Sequence, residues 1–150
     1  MAVVPKGFLS LTPTIVLDDA PSAIILYKKV FSAKETYRLA MPDGRILHAC
    51  LQIGNSKMFL SDYRYEDDHT SNDSLRFYLY VDDVDALCNL AVKNGFENIS
   101  MPPEDMFWGD RVGAVRDKFG VLWTIATHKS DPSDEEIEKG QKEFLLQMME

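Results

Sequence analysis

Two stretches of this chain share one pattern of apolar and polar positions. Residues 15–31 read IVLDDAPSAIILYKKVF and residues 79–95 read LYVDDVDALCNLAVKNG. In each, a β-type run (Ile15-Val16-Leu17; Leu79-Tyr80-Val81) ends in Asp-Asp, and an amphipathic helical pattern follows. Ala20, Ala23, Ile24, Tyr27 and Phe31 fall on one helical face, as do Val84, Leu87, Cys88 and Ala91. Asp18 or Asp19 is placed to cap the first helix, with Pro21 in its first turn, and Gly95 to follow the end of the second. A repeat of this kind, present twice, predicts a duplicated module rather than a solenoid.

The rest of each module follows the same order. In the first, Ser10 to Leu17 reads as a strand, then the helix, then strands over Glu35 to Leu39, Arg45 to Ile53 and Lys57 to Ser61, with turns at 41–44 and 54–55. In the second, Leu75 to Val81 is the first strand. Glu97 to Ser100, Arg111 to Arg116 and Val121 to Thr127 are the later ones, with a Pro-rich loop at Pro102-Pro103. Each module is β-α-β-β-β, and the fold class is α+β with a cupped mixed sheet. We expect a single domain over 1–150: module one about 8–62, a polar linker about 63–74, module two about 75–128 and a C-terminal helix about 133–149. Ser133 and Glu136 form a capping box for that helix, whose apolar positions are Ile137, Phe144, Leu145 and Met148.

Composition removes several function classes. Net charge is −8, with 24 acidic against 16 basic residues, and the longest basic run is Lys28-Lys29. No basic patch exists for nucleic acid. Much of the acidity sits in two stretches, Glu66 to Asp73 and Asp131 to Glu138. No apolar run approaches the roughly 20 residues that span a bilayer, so no membrane partner is expected. The start MAVVPKGFLSL lacks the apolar core of a secretory signal, and Cys50 and Cys88 lack metal-type spacing. The expectation is a reduced, cytoplasmic protein.

Candidate chemistry comes from strand parity, since alternate side chains face opposite sides. In Arg45 to Ile53 the set Leu47, Ala49, Leu51 and Ile53 is expected to face the helices. That leaves Ile46, His48, Cys50 and Gln52 on the other face. By the same parity Arg76, Tyr78 and Tyr80 share that face in module two, joined by Thr124 and Met58. A cation, an imidazole and phenols together suit an anionic or carbonyl-bearing small molecule. The loop Phe107-Trp108-Gly109-Asp110-Arg111 adds two adjacent aromatics that could cover a pocket mouth. Its structural alternative is a tight loop in which Trp108 fills a hole, Gly109 takes positive φ and Asp110 pairs with Arg111. The ligand set is therefore His48, Gln52, Arg76, Tyr78, Trp108, Arg111 and Thr124, with His48 the candidate base. His69 and His128 are expected to face solvent. Arg76 has a structural alternative too, pairing with Asp62 or Asp117.

Duplicated βαβββ modules resemble the vicinal-oxygen-chelate superfamily of glyoxalase I, extradiol dioxygenases and the bleomycin and fosfomycin resistance proteins. The stretches AIILYKKVFSAKE, MPDGRILHACLQIGNSKMFLSD, VDDVDAL, PPEDMFWGDRVGAVRDKFGVLWTIATH and the later DEEI are similar to its PhnB-like branch. The resemblance covers nearly the whole chain and implies small-molecule binding and a homodimer. It also implies a divalent metal held by one pair of ligands per module, on the first and last strands. Those positions fall at Thr12 or Thr14, Met58 or Phe59, Arg76 and Thr124, and none is His, Cys, Asp or Glu. Such a set does not suit a hard or borderline cation, so no metal and no other cofactor is expected. The methyltransferase label attached to some branch members finds no Gly-rich nucleotide loop here. Where branch members commonly read Asp-Pro-Phe-Gly-His, this chain reads Asp117-Lys118-Phe119-Gly120-Val121 and so lacks that imidazole. The expected function is a metal-free small-molecule-binding protein; the alternative is a metal-independent lyase or isomerase on a small oxygenated metabolite.

Overall fold

Among the described residues, eight strands and three helices run in the order β1 (Thr14–Val16), α1 (Ala20–Phe31), β2 (Lys34–Ala40), β3 (Ile46–Ile53), β4 (Ser56–Ser61), β5 (Arg76–Tyr80), α2 (Val84–Lys93), β6 (Glu97–Asp105), β7 (Asp110–Arg116), β8 (Leu122–His128) and α3 (Asp134–Met148). The structure, a computed structural model, describes residues 2–64 and 75–149. Most of the expected linker, the acidic stretch from Glu66 and His69 therefore lie outside the described residues. The chain divides into two compact units, 1–71 and 72–150.

The first unit is a four-stranded sheet in the order β1-β4-β3-β2, with β1 parallel to β4 and the other pairs antiparallel. β1 is shorter than expected, beginning at Thr14 rather than Ser10. The second aspartate of the first Asp-Asp pair is the cap. The Asp19 carboxylate accepts from the Ser22 amide at 3.2 Å and fills an orphan donor of the first helical turn. The apolar stripe of α1 is buried as its spacing requires, with Ile24 and Tyr27 fully covered. Full burial of one such aliphatic chain contributes about 1.5–3 kcal/mol. Asp62, just past β4, accepts from the amides of Ala20 at 2.9 Å and Ile46 at 2.8 Å, tying helix start to strand start.

Parity along β3 fails at one end. Ala49, Leu51 and Ile53 are buried as expected, but Ile46 is fully buried and Leu47 is 45% exposed. The register explains the exchange. Leu39 pairs with His48 and the next residue, Ala40, with Ile46, so Leu47 is an extra residue in β3. A bulge of this kind shifts the in–out alternation beyond it.

The second unit repeats the plan with the order β5-β8-β7-β6, β5 being parallel to β8. Asp83 caps α2, accepting from the Ala86 amide at 3.0 Å, and Gly95 follows the helix with φ +96°. Val84, Cys88 and Ala91 are buried against the sheet. The helix approaches β7 so closely at Gly113 that an added Cβ would lie 2.9 Å from Cys88 Sγ. Cys88 is correspondingly inert, its thiol pushed up to about 11 by burial and by the Asp85 carboxylate. The expected Pro-rich loop is instead strand. Pro102 and Pro103 lie inside β6, where the pairing with β7 jumps from Ser100–Ala114 to Glu104–Val112. An irregular edge strand accommodates residues that cannot donate to a ladder.

α3 carries the full capping box, Ser133 Oγ accepting from the Glu136 amide at 3.2 Å. Its contact with the unit runs through Gly140 and Phe144, which meet Phe107; the Phe107 and Phe144 rings lie 5.7 Å apart. Leu145, Leu146 and Met148 remain exposed. No helix among the described residues is long and apolar enough to cross a membrane.

Candidate functional site

Each sheet has one face turned to its helix and one turned away. On the second face of the first unit, the register puts His48 opposite Leu39, Cys50 between Tyr37 and Phe59, and Gln52 opposite Lys57. Met58 pairs with Leu51, so the expected place of Met58 on this face is taken by Phe59. The His48 ring lies 4.5 Å from that of Phe59 and 5.5 Å from that of Tyr37. Its Nε2 is 2.7 Å from the Tyr37 hydroxyl. Burial raises the Tyr37 pKa, with a further push from nearby Cys50. Tyr37 therefore stays a phenol, and the direction of its bond with His48 Nε2 follows the imidazole tautomer. The Gln52 amide is turned to its own turn, donating to the Gly54 carbonyl at 3.1 Å. Cys50 is fully buried.

On the second unit's outer face the rows across β5, β8 and β7 are Arg76–Leu122–Arg116, Tyr78–Thr124–Ala114 and Tyr80–Ala126–Val112. Arg76, Tyr78 and Thr124 thus share one face, as parity requires. Among the described residues Arg76 pairs with no carboxylate of its own unit, Asp117 included. The buried Asp117 accepts from the Phe119 and Val121 amides and from Trp123 Nε1, at 2.9–3.0 Å. The aspartate of the Asp-Lys-Phe-Gly-Val turn therefore holds the turn itself, and Val121 fills the core.

Beyond Tyr78 the face is organised by a residue that sequence reasoning assigned elsewhere. The expected Asp110–Arg111 pair does not form. Asp110 is 2% exposed and accepts from Tyr78 Oη at 2.7 Å, Tyr80 Oη at 2.9 Å and His128 Nδ1 at 2.7 Å. Trp108 Nε1 donates to the Tyr78 hydroxyl at 3.0 Å. His128, expected to face solvent, also reaches Asp131 through Nε2 at 2.7 Å. Burial tends to raise the Asp110 pKa, but the hydrogen bonds from Tyr78, His128 and Tyr80 outweigh it, and the group stays below the ordinary carboxylate range. The same contacts act oppositely on their donors. Burial and the Asp110 carboxylate push Tyr78 up to about 12, and Asp110 and then Asp131 raise His128. A proton bridge of this density at the end of a sheet leaves the two phenols fixed as donors rather than free bases. The missed signal was parity itself: Asp110 faces His128 across the β7–β8 ladder.

Arg111 leaves this group. Its guanidinium forks onto Asp85 of α2, at 2.8 and 3.1 Å, and reaches Asp105 at 3.2 Å. It lies in register with Thr127, one position along from Asp110, and so on the helix-covered side. Those contacts raise its pKa further above an already high value. Of the structural alternative for the Phe107-Trp108-Gly109 segment only the glycine turn is present: Trp108 is half-buried and bonds Tyr78 rather than filling a hole. Gly109 has φ +100°, and a Cβ there would collide with the Ser130 carbonyl oxygen.

The positions that would carry a metal in the resembled superfamily offer poor donors. Thr14 pairs with Phe59, and Arg76 and Thr124 lie on β5 and β8. Among the described residues no group of three or more His, Cys, Asp or Glu is placed to hold a metal ion.

Residues 10–125 match the family model of the Glyoxalase/Bleomycin resistance protein/Dioxygenase superfamily. An uncharacterized protein of Mycobacterium bovis is 34% identical over 137 residues, covering 86% of this chain and 90% of its own length. Among solved structures, a PhnB protein of Bacillus cereus superposes with a TM-score of 0.65 at 15% identity, covering 79% of this chain and 99% of that one. The fosfomycin resistance protein FosX of Listeria monocytogenes superposes with a TM-score of 0.61 at 16% identity, covering 85% and 95%. These two show a shared fold.

Proposed function

Given that the chain belongs to the Glyoxalase/Bleomycin resistance protein/Dioxygenase superfamily, we propose that it is a PhnB-like small-molecule-binding protein that works without the usual divalent metal. The observation that carries this reading is the outer face of the second unit. There Arg76, Tyr78 and Thr124 lie together, with Trp108 hydrogen-bonded to Tyr78 at the side. This surface is polar and aromatic and holds a cation where the superfamily places a metal ligand. His48 and Gln52 supply a second polar set on the first unit, and Arg111 serves α2 instead.

A metal-independent enzyme is the second reading. It is favoured by the 2.7 Å contact between Tyr37 and His48: in the tautomer where Nε2–H donates to the phenol oxygen, Nδ1 is the candidate base for proton abstraction. We further propose a cytoplasmic homodimer with neither nucleic-acid nor membrane partners.

The binding reading is tested by elemental analysis together with a nuclear magnetic resonance screen of small oxygenated metabolites. The expected result is well under one metal per chain, with metabolite-induced shifts at Tyr78, Trp108 and Thr124. About one zinc, nickel, manganese or iron per chain, lost on Arg76→Ala or Thr124→Ala, would overturn the metal-free part. A screen in which no metabolite shifts these residues would overturn the binding face. A base role for His48 predicts turnover that His48→Gln abolishes.

A further inference from the structure

We infer that Arg76 and Arg116 together form a clamp for the oxyanion of a small ligand, a carboxylate, phosphate or phosphonate, lying on the β5–β8–β7 face. The inference rests on the reading above that this face binds a small molecule, and names the chemistry of what it takes.

The two arginines stand on the same face two strands apart, with Leu122 between them in register. Among the described residues neither makes an ion pair. The four other arginines of the chain each have a carboxylate: Arg38 takes Glu35, Arg45 takes Asp43, Arg64 takes Asp18 and Arg111 takes Asp85 and Asp105. In a chain with 24 acidic residues, two neighbouring cations without an anion are an exception. Glu97 is the cross-strand neighbour of Arg116, yet the two make no ion pair.

Arg116 adds a second observation. Its Nε is buried and has no hydrogen-bond partner. Buried guanidinium nitrogens are ordinarily paired, and an orphan asks for an acceptor that comes and goes. A planar fork of N–H donors matches the two oxygens of a carboxylate or phosphate. Two such forks flanking one strand on the same face suit one oxyanion held from both sides.

The next row supplies room for the rest of the ligand. Thr124 and Ala114 are small and half-buried, with the exposed Tyr78 ring beside them. The buried Asp110 carboxylate belongs to the opposite end of the strands, six residues along β7 from Arg116 or roughly 20 Å, so it does not neutralise the arginine pair. Net charge of −8 repels anions at long range, so attraction must come from the two guanidinium groups at contact. The ligand is therefore a small anion with a flat or aromatic body, its charge at Leu122 and its body on Tyr78.

The test uses benzoate, phenylphosphonate and the neutral benzamide as probes, titrated into the full chain while the arginine Nε–H and the Tyr78 and Thr124 signals are followed by magnetic resonance. Benzoate and phenylphosphonate are expected to shift Arg76, Arg116 and Tyr78, and benzamide to bind at least about tenfold more weakly. Arg76→Gln and Arg116→Gln should each weaken the anions about tenfold, while Arg38→Gln leaves them unchanged. Arg76→Lys, which keeps charge and fold but loses the fork, should fall between. The ratio of benzoate to phenylphosphonate affinity identifies which oxyanion the clamp prefers. Equal binding of benzamide at Tyr78 and Thr124, indifferent to both glutamine variants, overturns the clamp and leaves the binding face intact. No shift at either arginine with any probe overturns it as well, with the metabolite screen deciding the face separately.

Discussion

His128 Nδ1 lies 2.7 Å from Asp110 Oδ1 while its Nε2 lies 2.7 Å from Asp131 Oδ1. A neutral imidazole has one N–H and can donate to only one of these carboxylates, so the geometry calls for imidazolium. The bridge joins the start of β7 to the segment leading into α3.

Stability should follow that proton. Asp110 and Asp131 raise the folded pKa of His128. Its contribution is then fully present below the unfolded value of about 6.5 and is lost as pH rises through the higher folded value. Asp110 is lowered, so its contribution is present above the unfolded carboxylate value and is lost only as pH falls through the folded one. The pair is strongest between roughly pH 4 and 6.5. Melting temperatures should decline above that window in the wild type and decline less in His128→Gln. Parallel profiles would contradict the bridge, as would a His128 titration midpoint at or below 6.5.

Removing the acceptor should cost more than removing any one donor. Asp110→Ala leaves Tyr78, Tyr80 and His128 without their common partner, and a loss of about 1–3 kcal/mol is expected in denaturant unfolding. Trp108 emission should change in the same variant, because its indole bonds the phenol that Asp110 positions. Unchanged stability and unchanged emission would mean that the network does not form in solution.

Gly109→Ala tests the close approach of two backbones. Its φ of +100° strains any side chain by about 1–3 kcal/mol, and the new Cβ would strike the Ser130 carbonyl. The variant should unfold more easily and lose amide protection in α3, which follows Ser130. Wild-type stability would show that the loop has another conformation.

Oligomeric state is open to a direct measurement. Light scattering should give about 34 kDa, twice the chain mass of 17.1 kDa. Leu145, Leu146 and Met148 are exposed on α3 and are the expected added contact. A chain truncated before residue 133 should then dissociate more readily. A monomer at micromolar concentration would refute the dimer, and a truncated dimer of unchanged affinity would relieve the helix of any part.

The modules were legible because their signals are local. The second aspartate of each Asp-Asp pair is a helix cap, and caps depend on residues three positions away. The stripe from Ala20 to Phe31 needs only the helical period. Parity served equally well on β5 and β8, where the ladder is regular. It failed at Leu47, because a bulge is decided by the partner strand, and at Pro102-Pro103, which the sequence pattern alone marks as loop. The partners of Asp110 and Arg111 were illegible for a related reason. Adjacent residues on a strand face opposite sides, so the aspartate meets β5 and β8 while the arginine meets α2. Sequence adjacency suggested a pair that the pleat forbids.

In both units the first strand is parallel to the last, so Thr14 waits for Phe59 and Arg76 for Leu122, each about forty-five residues further on. A chain emerging from the ribosome can make its helix and hairpins early, but neither sheet gains its final strand until the whole unit has been synthesised. Loop closure, rather than helix formation, should therefore set the pace of folding in each half. Until that moment the Ile15 and Leu17 side chains have nothing to cover them, and a pause in translation before Phe59 would leave the nascent first unit open to capture by chaperones or by its neighbours.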